Sequence, residues 1–244
     1  MSDLIQQTID NNVLLLEICR NNKKNALTTA MYTDLADAIQ QASENEQVRV
    51  IVLTGGENFS AGNDLKDFLN NPPASIDAPV FRFMDILTKC PLPVVTAVDG
   101  AAVGIGTTLL LHTDLNYCTA RTRFSLPFVN LGLVPEYASS LLLPKMIGHA
   151  KAAELIMLGE PFSAEQALNI GLVNAIFEPQ EVLAQAMTTA QKLAAKPPNA
   201  LRQTKALLKG NITAITERIH AEADVFRERL ASKEAQQIMA AFFK

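Results

Sequence analysis

The sequence predicts an α/β fold, and three observations carry that expectation. β-Branched runs closed by a glycine pair or by Asp-Gly recur through the first half of the chain. Apolar residues at helical spacing lie between them. From about Tyr137 onward, helical patterning takes over.

Leu4–Ile9 and Val13–Ile18 flank Asp10-Asn11-Asn12 and read as strand, turn, strand. Thr28 is placed to cap a helix whose apolar face is Met31, Leu35, Ala38, Ile39 and Ala42. Val48–Thr54, closed by Gly55-Gly56, and Pro93–Val98, closed by Asp99-Gly100, have the texture of strands buried on both faces. The apolar stretches Leu109–Leu111 and Leu115–Thr119 continue that series. Ser163-Ala-Glu-Gln166 fits a capping box, in which the serine hydroxyl and glutamine amide satisfy free helix-start amides. Gly171 ends that helix, and Val173–Phe177 is a last short strand. Glu181–Ala195 is an alanine-rich helix stopped by Pro197-Pro198. Helices are then expected over Asn199–Lys209, Ile212–Leu230 and Lys233–Phe243. The chain thus divides into an α/β core over residues 1–195 and a helical region over 196–244 that needs a surface to pack on. Asn70–Pro79, rich in Ser, Asp, Asn and Pro, is the segment expected to be mobile.

Composition narrows the function classes. The 244 residues are 48% hydrophobic and 19% charged, which excludes disorder and supplies one large core. Lys and Arg total 21 against 25 Asp and Glu, a net charge of −4 with no basic block. That balance argues against nucleic acid or an anionic membrane as a partner. No apolar run reaches the roughly 18–20 residues of a membrane span. Met1–Gln7 lacks a signal peptide's basic start and apolar stretch, and Ala241-Phe-Phe-Lys244 is not a peroxisomal tail. A soluble cytoplasmic protein is expected. Cys19, Cys90 and Cys118 stand far apart and show neither metal spacing nor a disulfide framework.

Several familiar sites are absent. No Gly-x-x-x-x-Gly-Lys-Ser/Thr occurs, and Gly104-Ile-Gly106 has Leu109 where a dinucleotide fingerprint needs its third glycine. Around Ser60, Asn58 stands where a nucleophile elbow needs glycine. His112, His149 and His220 do not have zinc-protease spacing. Nucleophilic and metal chemistry are disfavoured.

Two glycine-bearing segments and one charge remain. Asn58-Phe-Ser-Ala-Gly-Asn-Asp-Leu65 follows the Val48–Thr54 strand, and Asp99–Thr108 follows the Pro93–Val98 strand. Open α/β sheets place ligands at such strand ends. Small residues there let a ligand reach backbone amides, and one amide from each loop would make an oxyanion hole. From spacing alone, tight turns are the favoured reading of the same glycines. Glu136 is the only charged residue between Arg123 and Lys145. Apolar surroundings raise a carboxyl's pKa and suit it to proton shuttling. The other reading of Glu136 is a helix-start acid interacting with the dipole.

Phe59–Leu65, Pro93–Gly104 and Phe162–Val173 together resemble the crotonase (enoyl-CoA hydratase/isomerase) superfamily, and the likeness runs over nearly the whole chain. The resemblance implies a spiral core of repeated ββα units and a C-terminal helical trimerisation region. Trimers or dimers of trimers are expected. It also implies an acyl-CoA thioester substrate whose carbonyl oxygen is held by the backbone N–H groups of Asn63 and Ile105. Ala26 and the loop Ser60, Ala61, Gly62, Asn63, Asp64 and Leu65 would line the CoA and pantetheine path. Coenzyme A enters only as part of the substrate, with no metal or redox cofactor.

The two hydratase glutamates of the superfamily match Thr108 and Phe128 here, which disfavours hydration. Leu133-Val-Pro-Glu-Tyr-Ala-Ser-Ser140 resembles a segment of the peroxisomal-type Δ3,Δ2-enoyl-CoA isomerases, whose glutamate is the base. The resemblance therefore implies Glu136 as the base of a 1,3-proton shift. Tyr137 replaces a frequent glycine of that branch, so a narrower pocket is expected. Two alternatives stay open: a hydratase or other acyl-CoA enzyme of the same fold, and a non-catalytic acyl-CoA-binding scaffold.

Overall fold

A computed structural model of the chain describes residues 3–241. β1 (Ile5–Asp10) and β2 (Val13–Ile18) form an antiparallel hairpin whose turn places Asn11 and Asn12 at φ 47° and 64°. Asparagine tolerates that left-handed conformation better than most residues, which explains the Asn pair at the turn. α1 (Thr29–Glu44) starts where expected, with the Thr28 side chain accepting from the Met31 N–H. β3 (Val50–Thr54), α2 (Leu65–Asn70), α3 (Pro79–Lys89), β4 (Val94–Val98), β5 (Ala101–Val103) and α4 (Ile105–Thr108) follow. Next come β6 (Leu115–Thr119), β7 (Arg123–Ser125), α5 (Ser139–Ile147), α6 (His149–Ala153), β8 (Phe162–Ser163) and α7 (Ala164–Asn169). β9 (Ala175–Phe177), α8 (Val182–Ala194), α9 (Pro198–Lys209), α10 (Ile212–Leu230) and α11 (Lys233–Ala241) complete the described chain.

The main sheet has strand order β1-β2-β3-β4-β6-β9, parallel except for the hairpin, and β5-β7-β8 form a second small sheet. Every residue of β3 and β4 is buried, because both faces of these strands are covered. Val50, Val52, Val95 and Ala97 point to one face and meet Ala186, Ala190 and Ala194 of α8. Alanines four apart form a smooth helix stripe that lets the helix lie close to the sheet. Ile51, Leu53, Val94 and Val98 point to the opposite face and join the principal core with α1 and α3. The expected capping box forms at α7, with Ser163 and Gln166 each bonding the other's backbone.

Three expectations need correction. Leu109–Leu111 is a 3₁₀ turn continuing α4, not a strand. Its three leucines follow Ile105–Thr108 without a break, so the chain keeps coiling before it extends at Leu115. α3 is not among the elements expected from the sequence; Pro79 opens it as a first-turn residue, and it buries Val80, Phe81, Phe83, Met84 and Leu87. The terminal helices do not leave their whole apolar face for a partner. Ile219 and Phe226 are buried in the chain's own core with Ala235 and Met239, Ile238 is half-buried, and Val225 is exposed. Phe242 and Phe243, expected at the end of the last helix, lie outside the described residues. Residues 71–78 carry neither helix nor strand, and Arg227 of α10 donates to the Ala74 carbonyl at 2.9 Å. No helix among the described residues is long and apolar enough to cross a membrane.

Candidate active site

The two glycine-bearing loops leave β3 and β4 side by side and zip together. Phe59 N–H donates to Asp99 O at 2.8 Å, Ser60 N–H to Ala101 O at 2.8 Å, and Val103 N–H to Ser60 O at 2.9 Å. Gly62 sits against Val103 with φ +88°; a β-carbon there would lie 2.8 Å from the Val103 carbonyl oxygen. This contact requires glycine on two counts, backbone conformation and space. Asn63 and Ile105 thereby come to line one cavity of about 320 Å³, together with Leu65, Phe128, Phe226 and Met239. Gly62 N–H and Asp64 N–H are taken by Ser60 Oγ and Leu27 O. The Asn63 N–H between them has no protein acceptor among the hydrogen bonds of the described residues. Ile105 opens α4, so its N–H has no acceptor within the helix either.

The remaining residues expected on the ligand path divide. Ala61, Gly62, Asn63 and Leu65 line the cavity. Ser60 is fully buried, donating to Asn25 O and accepting from Gly62 N–H; it shapes the loop from behind. Asp64 caps α2, accepting from Asp67 N–H, and pairs with Arg20 at 2.7 Å. Ala26 is half-buried, and its carbonyl accepts from the Arg20 guanidinium at 2.8 Å. None of these three lines the cavity; Arg20 links Asp64 to Ala26 and fixes the loop.

Glu136 is 2% exposed and stands in the turn before α5. Its Oε1 accepts from Thr108 Oγ1 at 2.5 Å, and its Oε2 is buried without a protein partner. The helix-start reading fails on this geometry, because the Glu136 carboxylate bonds no amide of α5; only its main-chain carbonyl does, from Ser139. Thr108 lies three residues beyond Ile105, so α4 has a cavity-lining residue at one end and a hydroxyl on Glu136 at the other. Burial pushes the Glu136 carboxyl up to about 8; the Thr108 hydrogen bond pulls it down and the charge of Glu222 pushes it further up. A carboxyl at that value is partly ionised near neutral pH and exchanges a proton readily.

Tyr137 does not narrow the cavity as expected. Its ring stacks on His112 with centroids 3.7 Å apart and lies in the core, away from the cavity wall. Burial lowers His112 to about 3, so this imidazole is neutral and structural, bonded to Thr88 and the Tyr137 carbonyl. Four residues that build the site gave no sequence signal for that role. Tyr32 of α1 donates its buried hydroxyl to the Asn63 side chain, Phe226 and Met239 close the cavity from the terminal helices, and Glu222 of α10 reaches the turn after Glu136. A second cavity of about 370 Å³ lies under residues 71–80, and Phe68 lines both.

The chain is similar to known proteins over nearly its whole length. The family model described as enoyl-CoA hydratase/isomerase matches residues 8–244. Enoyl-CoA delta isomerase 2 of Rattus norvegicus is 34% identical over 96% of the chain; the chain spans 62% of that protein's length. A probable enoyl-CoA hydratase of Bacillus subtilis (strain 168) is 33% identical, covering 98% of the chain and 95% of the relative. Among solved structures, Pseudomonas aeruginosa OdaA superposes with a TM-score of 0.96 at 47% identity, covering 99% of both chains.

Proposed function

The chain belongs to the enoyl-CoA hydratase/isomerase family, and from that premise we propose that it is a Δ3,Δ2-enoyl-CoA isomerase acting in the cytoplasm in fatty-acid β-oxidation. One observation carries the choice of isomerase over hydratase. Glu136 is the carboxylate held on α4, while the positions matching the two hydratase glutamates are Thr108, which only donates a hydrogen bond to Glu136, and Phe128. Glu136 is not itself among the residues lining the cavity; Thr108 joins it to α4, whose first residue, Ile105, does line it. One carboxylate suffices for a 1,3-proton shift; activating water and protonating carbon takes two groups.

In the proposed reaction, ionised Glu136 removes a proton from C2 of a 3-enoyl-CoA. The electron pair delocalises into a dienolate whose negative charge rests on the thioester oxygen. The Asn63 and Ile105 amides hold that oxygen. Protonated Glu136 then delivers the proton to C4, giving trans-2-enoyl-CoA and regenerating the carboxylate. The step balances without water, metal or redox cofactor, and coenzyme A is carried by the substrate.

Three outcomes follow from this reading. Because Glu136 must be ionised and its carboxyl is raised to about 8, kcat/KM should fall about tenfold per pH unit below that value and level off above it. A profile flat from about pH 6 to 9 contradicts the assignment, since an ordinary carboxyl would titrate near 4. Hydration of crotonyl-CoA should be weak or absent; efficient formation of 3-hydroxyacyl-CoA would favour the hydratase reading. The chain should also self-associate as a trimer or a multiple of one, using apolar side chains left exposed on its surface, such as Leu207 and Leu208, each 83% exposed. Light scattering measures this, and a stable monomer at micromolar concentration contradicts it.

A further inference from the structure

Glu136 sits in a turn that is costly to hold. The two residues after it, Tyr137 and Ala138, have φ of 60° and 53°, in the left-handed region that disfavours side chains with a β-carbon. Ala138 is also the N-cap of α5 and has no side chain with which to cap it. The missing cap arrives from elsewhere in the chain. Glu222, buried on α10, accepts from the Ala138 N–H at 2.6 Å, from the Ser140 N–H at 3.1 Å, and from the Ser140 hydroxyl. Arg218, one helical turn earlier, donates to the Ser140 hydroxyl at 3.2 Å.

We infer that Glu222 is a positioning residue for Glu136: from α10 it caps α5, locks the left-handed Tyr137–Ala138 turn, and so aims the Glu136 carboxylate. This rests on the reading of Glu136 as the proton-transfer group. The geometry has an electrostatic consequence. Glu222 places a second carboxylate near Glu136, and its charge disfavours ionisation of Glu136. Burial raises Glu222 itself to about 7, against the pull of Ser140, Ala138 and Arg218. The other titratable groups near Glu136 are Tyr32 and Tyr137, both held protonated by burial. Arg218 is the cation on Glu222's side of the turn. Glu222 therefore affects Glu136 by geometry and by charge, and two substitutions separate these.

Glu222→Asp keeps the charge but is one methylene too short to hold both amides. It should lower kcat for 3-enoyl-CoA about tenfold, leave KM within about twofold, and keep the acidic limb of the pH profile in place. Glu222→Gln removes the charge and one acceptor. It should lower kcat similarly and move the limb to lower pH, because Glu136 ionises more easily without a neighbouring anion. A helix contact of stability value alone would lower the melting temperature of both variants and leave kcat and the limb unchanged below it; that result overturns the inference. So does a limb that stays in place in folded Glu222→Gln. Should that variant fail to fold, Glu222→Asp alone decides through its kcat. Glu136→Gln, run alongside, separates the two levels. If it retains parental turnover the base assignment fails, whereas if it is inactive and the Glu222 variants are unaffected, only the positioning role fails.

Discussion

Glu136→Gln is expected to lower kcat for 3-enoyl-CoA isomerisation by about 10²–10⁴-fold, the usual contribution of a general acid–base group. KM should stay within about threefold, because the amide keeps the shape of the side chain and both proton steps fall in kcat. Relative to the parent, the same variant should gain stability as pH rises. In the parent, burial holds the Glu136 proton up to about pH 8, whereas in the unfolded chain the carboxyl releases it near its ordinary value of 4.5. Between those values the folded state binds more protons than the unfolded state, so parental stability falls with increasing pH. Glutamine does not titrate. The melting-temperature difference in favour of the variant should therefore widen from about pH 5 to pH 8. Loss of turnover together with that widening marks a buried proton carrier; loss of turnover with a lower melting temperature at every pH marks damage to the fold.

Gly62→Ala should cost about 10²–10³-fold in kcat, the worth of one oxyanion donor. The new methyl cannot be accommodated in place, since it would lie 2.8 Å from the Val103 carbonyl oxygen, and φ of +88° is unfavourable for alanine. The loop must separate from β5, and the Asn63 amide on the next residue moves with it. Gly171→Ala is the control. Gly171 also has positive φ, at 77°, but its added methyl meets nothing within 4 Å and the residue does not line the cavity. It should cost about 1 kcal/mol of stability and leave kcat unchanged. If Gly62→Ala retained parental kcat, the Asn63 amide would have no part in the reaction.

Much of this site is legible in the sequence because its signals are local. A β-branched-rich run such as Val50–Thr54, a glycine loop after it, and a lone acid among apolar residues each reflect chemistry within a few positions. Thr28 and the Ser163–Gln166 box predicted their helix starts for the same reason. What escaped the sequence depends on distant partners. Glu222 reaches Ala138 across 84 positions, and on α10 it is one acid among Glu217, Asp224 and Glu228, with nothing to set it apart. Tyr32 reads as one more residue of an amphipathic helix until its hydroxyl is found on Asn63, 31 positions away. The terminal helices read as needing a partner because their apolar stripe shows only that it must be covered; the stripe does not specify that the chain's own core does much of the covering. Ser60 and Asp64 belong to the loop motif, yet they shape it from behind, and sequence spacing cannot separate a residue that faces a cavity from one that braces it.

The central claim is that this chain moves a double bond and does not add water to one. It is tested most directly by incubating the unmodified protein with a panel of 3-enoyl-CoA thioesters of graded chain length and following the products by chromatography. The account predicts conversion to trans-2-enoyl-CoA, with little or no 3-hydroxyacyl-CoA accumulating even after the 2-enoyl product has built up. Binding of the panel with no migration of the double bond, or accumulation of 3-hydroxyacyl-CoA as the main product, would contradict it.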